Sequence, residues 1–459
     1  MSTLASDGLP PDSRPPFHAA RLQNGWMGWR TFLDMHRDYL GAAQQRLSLG
    51  DLVYCRVLHE STWDVHHPAL VRELMVGHAA HLVRWERGIE VFRQAHGNSV
   101  IVSEGEVWQQ RRRLMQAGFA PRRVEGLCGA INHACERAVQ TLEPGGVDFE
   151  QWVTRLTMEI ILDALFSGDY EGTPEAASAA VHHISVQGMR DFFWPFAPPQ
   201  WLPWRRRQRQ ALGQLDGLVR SALQLRQQYT GTEKGDLLDW LMALRDEQDQ
   251  SLSLEALRDE CMTSFLAGHE TTASALTWWA WCMAANPEAQ AQVHRELCEV
   301  LGAAAPSAAT LPRLPWLSAS LKEAMRLYPP VPVLFARRLK ADIELGGHTL
   351  RRGALLRVTP WLLHRDPRWW QAPQAFLPQR FMPGMGHSEP PRGAYLPFGA
   401  GPRSCLGQHF AMLEMTLVAA ALLLRFELRP LPAEPTPQPA LNVTLRPQAS
   451  LKLLLHPRA

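Results

Sequence analysis

The chain has 459 residues, 46% of them hydrophobic and 20% charged, with a formal net charge of +2 at pH 7. That is apolar enough for a sizeable core, and it lacks the concentrated basic charge of a nucleic-acid binder. The seven cysteines, at 55, 128, 135, 261, 282, 298 and 405, are odd in number and include no CxxC pair, which argues against a disulfide framework and for a reducing compartment.

Residues 1–16, MSTLASDGLPPDSRPP, are polar and proline-rich and read as a disordered tail. They hold no apolar core of signal-peptide length. No stretch approaches the roughly 20 apolar residues that span a bilayer, and the nearest, Ala411 to Leu424, carries Glu414 and is too short. A soluble, cytoplasmic protein without a membrane anchor is expected. Residues 17–459 show no internal repeat and no linker between two compositions, so they read as one domain. Short aliphatic segments at Leu52 to Leu58, Ile343 to Leu345 and Ala354 to Thr359 read as strands. Helical patterning dominates from about residue 105 to 330, giving a mostly-α fold with a small β portion.

At the start of that helical stretch, Trp108 and Arg112 stand one turn apart. Arg111, Arg112 and Arg113 point about 100° apart on a helix, so only Arg112 shares the tryptophan's face. A planar guanidinium beside an indole N–H suits a carboxylate. The run Trp204-Arg205-Arg206-Arg207-Gln208-Arg209 reads as a solvated face. From Ser253, a fitting N-cap, a helix of 34 residues runs to Asn286, where Pro287 stops it. Its middle reads Phe265-Leu266-Ala267-Gly268-His269-Glu270-Thr271-Thr272. A carboxylate beside two hydroxyls in an apolar helix is costly unless those groups are paired or used. Gly268 removes a side chain and the Thr271 hydroxyl can bond a carbonyl one turn back, so together they are expected to open a pocket against the helix. His269 reads as structural.

Glu323 and Arg326 lie three apart on one helix face, a pair worth a few tenths of a kcal/mol if exposed. Further on comes Phe398-Gly399-Ala400-Gly401-Pro402-Arg403-Ser404-Cys405-Leu406-Gly407. Its three glycines allow tight turns and close approach to a flat ligand. One sulfur suits the axial position of a haem iron better than a zinc or iron–sulfur site; a buried structural cysteine is the plainer alternative. Residues Pro430 to Pro439 form a proline-rich loop.

Phe398, Gly401, Arg403, Cys405 and Gly407 fill all five fixed positions of Phe-x-x-Gly-x-Arg-x-Cys-x-Gly, and this stretch resembles the haem-binding loop of the cytochrome P-450 family. The resemblance covers the chain from about residue 17 and implies the single-domain cytochrome P-450 fold, with haem b as cofactor and Cys405 as axial iron ligand. Ala267, Gly268, Glu270 and Thr271 resemble the family's oxygen-binding motif, in which acid and alcohol organise water and deliver protons. Trp108, Arg112, Arg337 and Arg403 match its propionate donors, with Arg338 the alternative to Arg337. Glu323 and Arg326, joined by Arg380, match its structural triad; Gln379, where the family often has Glu, lies outside that triad.

The family's substrate contacts fall at residues 85–102, 189–196, 265–267, 331–335 and 441–444. Apolar side chains occupy them here, among them Ile89, Phe92, Phe192, Phe193, Trp194, Leu334 and Phe335. They imply a terpenoid, steroid, fatty acyl or aromatic substrate, and no internal arginine is placed to meet a carboxylate. The implied activity is insertion of one oxygen atom from O2, by a haem-thiolate monooxygenase. About 50 residues follow Cys405, so electrons are expected from a separate ferredoxin or flavodoxin with its reductase, steered by outward-facing Arg111 and Arg113. A peroxide-driven haem-thiolate enzyme, or a non-enzymatic haem sensor or carrier, is the alternative; neither needs the Glu270–Thr271 pair.

Overall fold

Capping side chains set where several of the long helices begin. Asp38, Asp148, Thr173, Asp236 and Ser253 each accept an amide from the first turn of the helix they precede. The structure, a computed structural model, describes residues 17–458 apart from 23, 25, 194–198, 200, 230, 232, 246–250, 303, 383, 386–388 and 433. The tail expected at residues 1–16, and Trp194, lie outside the described residues.

Helices α1 (Trp29–Arg37), α2 (Tyr39–Leu47) and α3 (Pro68–Arg72) belong to the β-rich side of the molecule. There follow α4 (Glu86–His96), α5 (Gly105–Gly118), α6 (Pro121–Gly126), α7 (Cys128–Gln140), α8 (Phe149–Phe166) and α9 (Pro174–Phe192). Next come α10 (Arg206–Gln228), α11 (Leu237–Ala243), α12 (Leu254–Ala285), α13 (Pro287–Leu301) and α14 (Pro315–Leu327). Short α15 (Pro360–Leu363) and long α16 (Gln408–Arg425) complete the helices among the described residues.

The strands are β1 (Ala19–Arg21), β2 (Leu52–Val57), β3 (Glu60–Val65), β4 (Leu82–Arg84), β5 (Gly145–Asp148), β6 (Arg337–Leu339) and β7 (Ile343–Leu345). They continue with β8 (His348–Leu350), β9 (Leu355–Val358), β10 (Phe426–Pro430), β11 (Pro439–Leu441), β12 (Leu445–Pro447) and β13 (Lys452–Pro457). One six-stranded sheet has the order β1-β2-β3-β9-β6-β4, with β1–β2 and β3–β9 parallel and its other pairs antiparallel. The order β10-β13-β5 makes a second sheet, and β7–β8 and β11–β12 are hairpins. The three strands read from sequence are present, ending at Val57 rather than Leu58 and narrowing to Leu355–Val358. Leu58 leaves the strand at φ 54°, in the turn to β3.

The predicted long helix is α12, running from the Ser253 cap to Ala285. Its Trp278 and Trp279 are fully buried, their indoles donating to Leu445 O and Ser320 Oγ, each at 2.9 Å. Tyr328 stacks flat on Trp278, ring centroids 4.0 Å apart. By length and composition α16, 18 residues with mean hydropathy 1.2, could cross a membrane, contrary to the expectation that no stretch comes close. Here it is a core helix, with Leu413, Leu417, Val418 and Leu422 buried and α7, α12 and α14 packed around it.

Two expectations about arginines fail for one reason: a buried carboxylate captures the guanidinium. Arg205, read as part of a solvated face, is 2% exposed and pairs with buried Asp191 at 2.7 Å. Arg111, expected to face outward, donates to buried Glu260 at 2.9 Å, while Arg113 remains exposed. Neither carboxylate lies near its partner in sequence.

Candidate active site

The cysteine loop is shaped by its glycines and closed by its own backbone. Gly399 and Gly401 hold φ of +72° and +71°. A Cβ on Gly401 would fall 2.0 Å from the Met75 carbonyl oxygen, so only glycine fits there. The Cys405 amide donates to Phe398 O at 2.9 Å, and the Ser404 amide to Gly401 O at 3.1 Å. Arg112, reaching from α5, donates to Ser404 O at 2.7 Å, which sets its charge beside the Cys405 sulfur. Burial pushes the Cys405 thiol up, against the Gly407 amide and the Arg112 charge, which pull it down. The residue nevertheless keeps open surface on one side.

Around this loop four guanidiniums gather. The Arg403 guanidinium stacks 4.0 Å from the centroid of the Trp108 ring and pairs with Glu104. Arg337 is buried, while Arg338, next in the strand and so on its other face, is held by Glu60 and Glu86. Arg84, which the sequence reading missed because a lone arginine carries no pattern, is buried in the same cluster. Glu104 is the carboxylate that Arg403 and Arg84 share, Arg84 Nη1 lying 3.8 Å from it. Burial, then the charge of Arg403, pushes Arg337 down to about 10; burial also takes Arg403 to about 10, with Arg112 adding to the effect. Among the described residues Arg84 Nε and Nη1, Arg112 Nε and Arg337 Nη1 are buried without hydrogen-bond partners.

In α12 the Thr271 hydroxyl donates to Ala267 O at 2.7 Å, as expected of a residue one turn on. Glu270 is 5% exposed; it accepts from Ser185 Oγ at 2.6 Å and lies 3.5 Å from Arg446, which also binds Glu150. Ala267 is exposed although both flanks of the helix are buried. His269 is structural: it bonds Thr157 at 3.0 Å and Ser178 at 3.5 Å, and burial pushes it down to about 3. Gly268 departs from expectation. It faces α8, where a Cβ would meet Ile161 Cδ1 at 3.0 Å, so it permits helix packing rather than opening a pocket.

A cavity of about 820 Å³ is lined by Leu266, Ala267, Glu270 and Thr271 on one wall. Phe92, Phe192, Phe193, Leu334 and Phe335 line it as predicted, Phe92 packing edge-on to Phe335 at 4.7 Å. Residues 441–444 also line it. Ile89 does not, although its neighbours Gly88 and Glu90 on α4 do. Phe265 is likewise turned into the core. Among the arginines that line the cavity is the buried Arg357 of β9.

Glu323 and Arg326, both fully buried, bond through two contacts at 2.7 and 2.8 Å, and Arg380 reaches the same carboxylate at 3.2 Å. Arg326 also donates to the carbonyls of His364, Pro373 and Ala375. The three residues thus pin the loop after α15 to α14.

A family model described as Cytochrome P450 matches residues 24–455. The chain belongs to the cytochrome P450 family. This cytochrome P450 is similar to cyclooctatin synthase of Streptomyces melanosporofaciens, 34% identical over 420 residues that cover 89% of each chain. It is 32% identical over 390 residues, 83% of each, to cyclooctat-9-en-7-ol 5-monooxygenase of the same organism. The fold matches a cyanobacterial CYP120A1 solved with retinoic acid bound, at a TM-score of 0.82, 24% identity and 93% and 96% coverage. The P450 is therefore a monooxygenase, and its family takes a haem. The residues present fit that group. The Cys405 thiol is exposed, and the buried guanidinium nitrogens of Arg84, Arg112 and Arg337 that find no partner among the described residues offer donors for two propionates.

Proposed function

We propose that this P450 inserts one oxygen atom from O2 into a hydrophobic small molecule, with haem b held by the Cys405 thiolate. The observation that carries the reading is that Glu270 and Thr271 line a large cavity together with Phe92, Phe192, Phe193, Leu334 and Phe335. Haem, when bound, supplies the reductive activation of O2. Arg112 favours the thiolate form of Cys405 through its positive charge, and Arg84, Arg112, Arg337 and Arg403 offer the propionates charge-assisted hydrogen bonds. Because its proton is engaged by Ala267 O, Thr271 presents oxygen lone pairs toward the cavity, where they can accept from a water. Glu270, tethered by Ser185 and Arg446, is the proton-exchanging group beside it. The phenylalanines keep bulk water from the reacting carbon. The relatives named for cyclooctatin and cyclooctat-9-en-7-ol support an apolar cyclic substrate. Electrons come from a ferredoxin or flavodoxin with its reductase, in the cytoplasm.

The test is turnover of a panel of terpenoid, steroid, fatty acyl and aromatic compounds, followed by mass spectrometry. A product one oxygen heavier, formed only with O2 and a reductase pair, is expected. Product with peroxide alone, and none with the reductase pair, would overturn the reading.

A further inference from the structure

The cavity that Thr271 lines has a second wall of different character. Met35, Tyr39, Thr62, Leu355 and Arg357, from α1, α2, β3 and β9, line it there. Arg357 stands opposite Asp64 in the β3–β9 register and donates to both of its oxygens, at 2.7 and 2.9 Å. Asp64 is shared, because Arg46 Nε donates to it at 2.5 Å. Two guanidiniums thus meet one carboxylate, leaving a net positive charge among residues that are all more than nine-tenths buried. Burial pushes neighbouring His66 down to about 4, so it adds no charge at neutral pH. Arg46 Nη2 has no hydrogen-bond partner among the described residues. Among the described residues Arg357 Nη1 reaches only the Met35 thioether, at 3.2 Å, and Nη2 also meets the Cys55 sulfur at 3.1 Å, both weak acceptors. The other arginines on the cavity wall are matched, Arg87 by Glu90 and Arg338 by Glu60 and Glu86. An uncompensated buried cation is costly unless an anion completes it. Tyr39, whose phenol burial pushes up, stays protonated and able to donate.

We propose that this end of the cavity binds a substrate carboxylate, with Arg357 Nη1 and the Tyr39 hydroxyl donating to its oxygens. The substrate is then an apolar acid whose body extends toward α12 and which is oxidised away from its carboxyl end. The proposal rests on the reading above for the reaction, but not for the binding of the anion.

Calorimetric titration of the haem-loaded protein at pH 8 tests it, using dodecanoic, farnesoic and abietic acids, each beside its methyl ester. At least one acid should bind about tenfold or more tightly than its ester, the effect of one charge-assisted hydrogen bond. Tyr39→Phe should shrink that preference and Arg357→Met abolish it. If no acid outbinds its ester, or if folded Arg357→Met keeps the preference, the proposal falls. Should Arg357→Met fail to fold, the native acid–ester comparison and Tyr39→Phe still decide. Calorimetry reads the carboxylate site whether or not turnover occurs, so an intact acid preference without oxygenated product overturns the reaction and not the site.

Discussion

At Cys405, packing and purpose pull in opposite directions. Desolvation favours the neutral thiol, and the Gly407 amide and Arg112 offset only part of that. A bound metal deprotonates a coordinating thiol outright, so ligation is expected to resolve the conflict. The reduced, carbon monoxide-treated protein should absorb far to the red of a histidine-ligated haem, and Cys405→Ala should abolish that band. A Cys405→Ala protein that binds haem and keeps the band would remove the residue from the site. For Thr271 the geometry supports a role in handling water: its proton is engaged and its lone pairs are open to the cavity. Thr271→Ala should load haem normally yet divert reducing equivalents to hydrogen peroxide, read as the ratio of product to reductant consumed. An unchanged ratio would mean that the hydroxyl does no more than bond its own helix.

Between elements, the Glu323–Arg326–Arg380 cluster does most to fasten the loop following α15. In sequence the first two residues look like an exposed i,i+3 pair worth a few tenths of a kcal/mol; buried, they behave differently. Removing one partner strands a charge and, for Arg326, three carbonyl acceptors, at a cost of about 3–5 kcal/mol. That rivals the whole stability of many domains. Arg326→Ala should therefore fail to accumulate as haem-loaded protein, whereas a soluble, fully loaded variant would show that the cluster is dispensable. At the α8–α12 crossing a smaller effect is expected. Gly268→Ala gains helix propensity, about 1 kcal/mol, against a few tenths of an ångström of give from the end of Ile161. It should be close to neutral in urea denaturation, while Gly268→Leu overpacks the crossing and costs about 1–3 kcal/mol.

Across the whole molecule the buried histidines set an acid limit. Desolvation pushes His66 and His96 down to about 4, and His269 and His364 down to about 3. All four are neutral in the folded protein at pH 7, whereas the unfolded chain protonates them near pH 6.5. Below that value the unfolded state binds more protons, so stability falls with pH by up to about 1.4 kcal/mol per histidine per unit. Above it, this contribution is fully present. Urea midpoints should drop steeply between about pH 6.5 and 4.5, and His269→Gln should lower the slope there by about one proton; a flat profile in the native protein would refute the effect.

What the linear sequence determined is what depends on near neighbours. The Ser253 cap and Pro287 bound α12, and the glycines of residues 398–407 shape the cysteine loop. Each is a local backbone or patterning preference, readable within a few residues. The strand Arg337–Leu339 was hidden because its two arginines mask the pattern, and β3 because its polar residues gain their strand only by pairing with β2 and β9. Tertiary structure alone decided the electrostatics. Whether Arg111, Arg205, Arg338 or Arg357 faces solvent, a carboxylate or a cavity depends on acids up to some 290 residues away, as Asp64 is from Arg357. A guanidinium carries the same charge everywhere in a sequence, and only the fold assigns it a partner or leaves it without one.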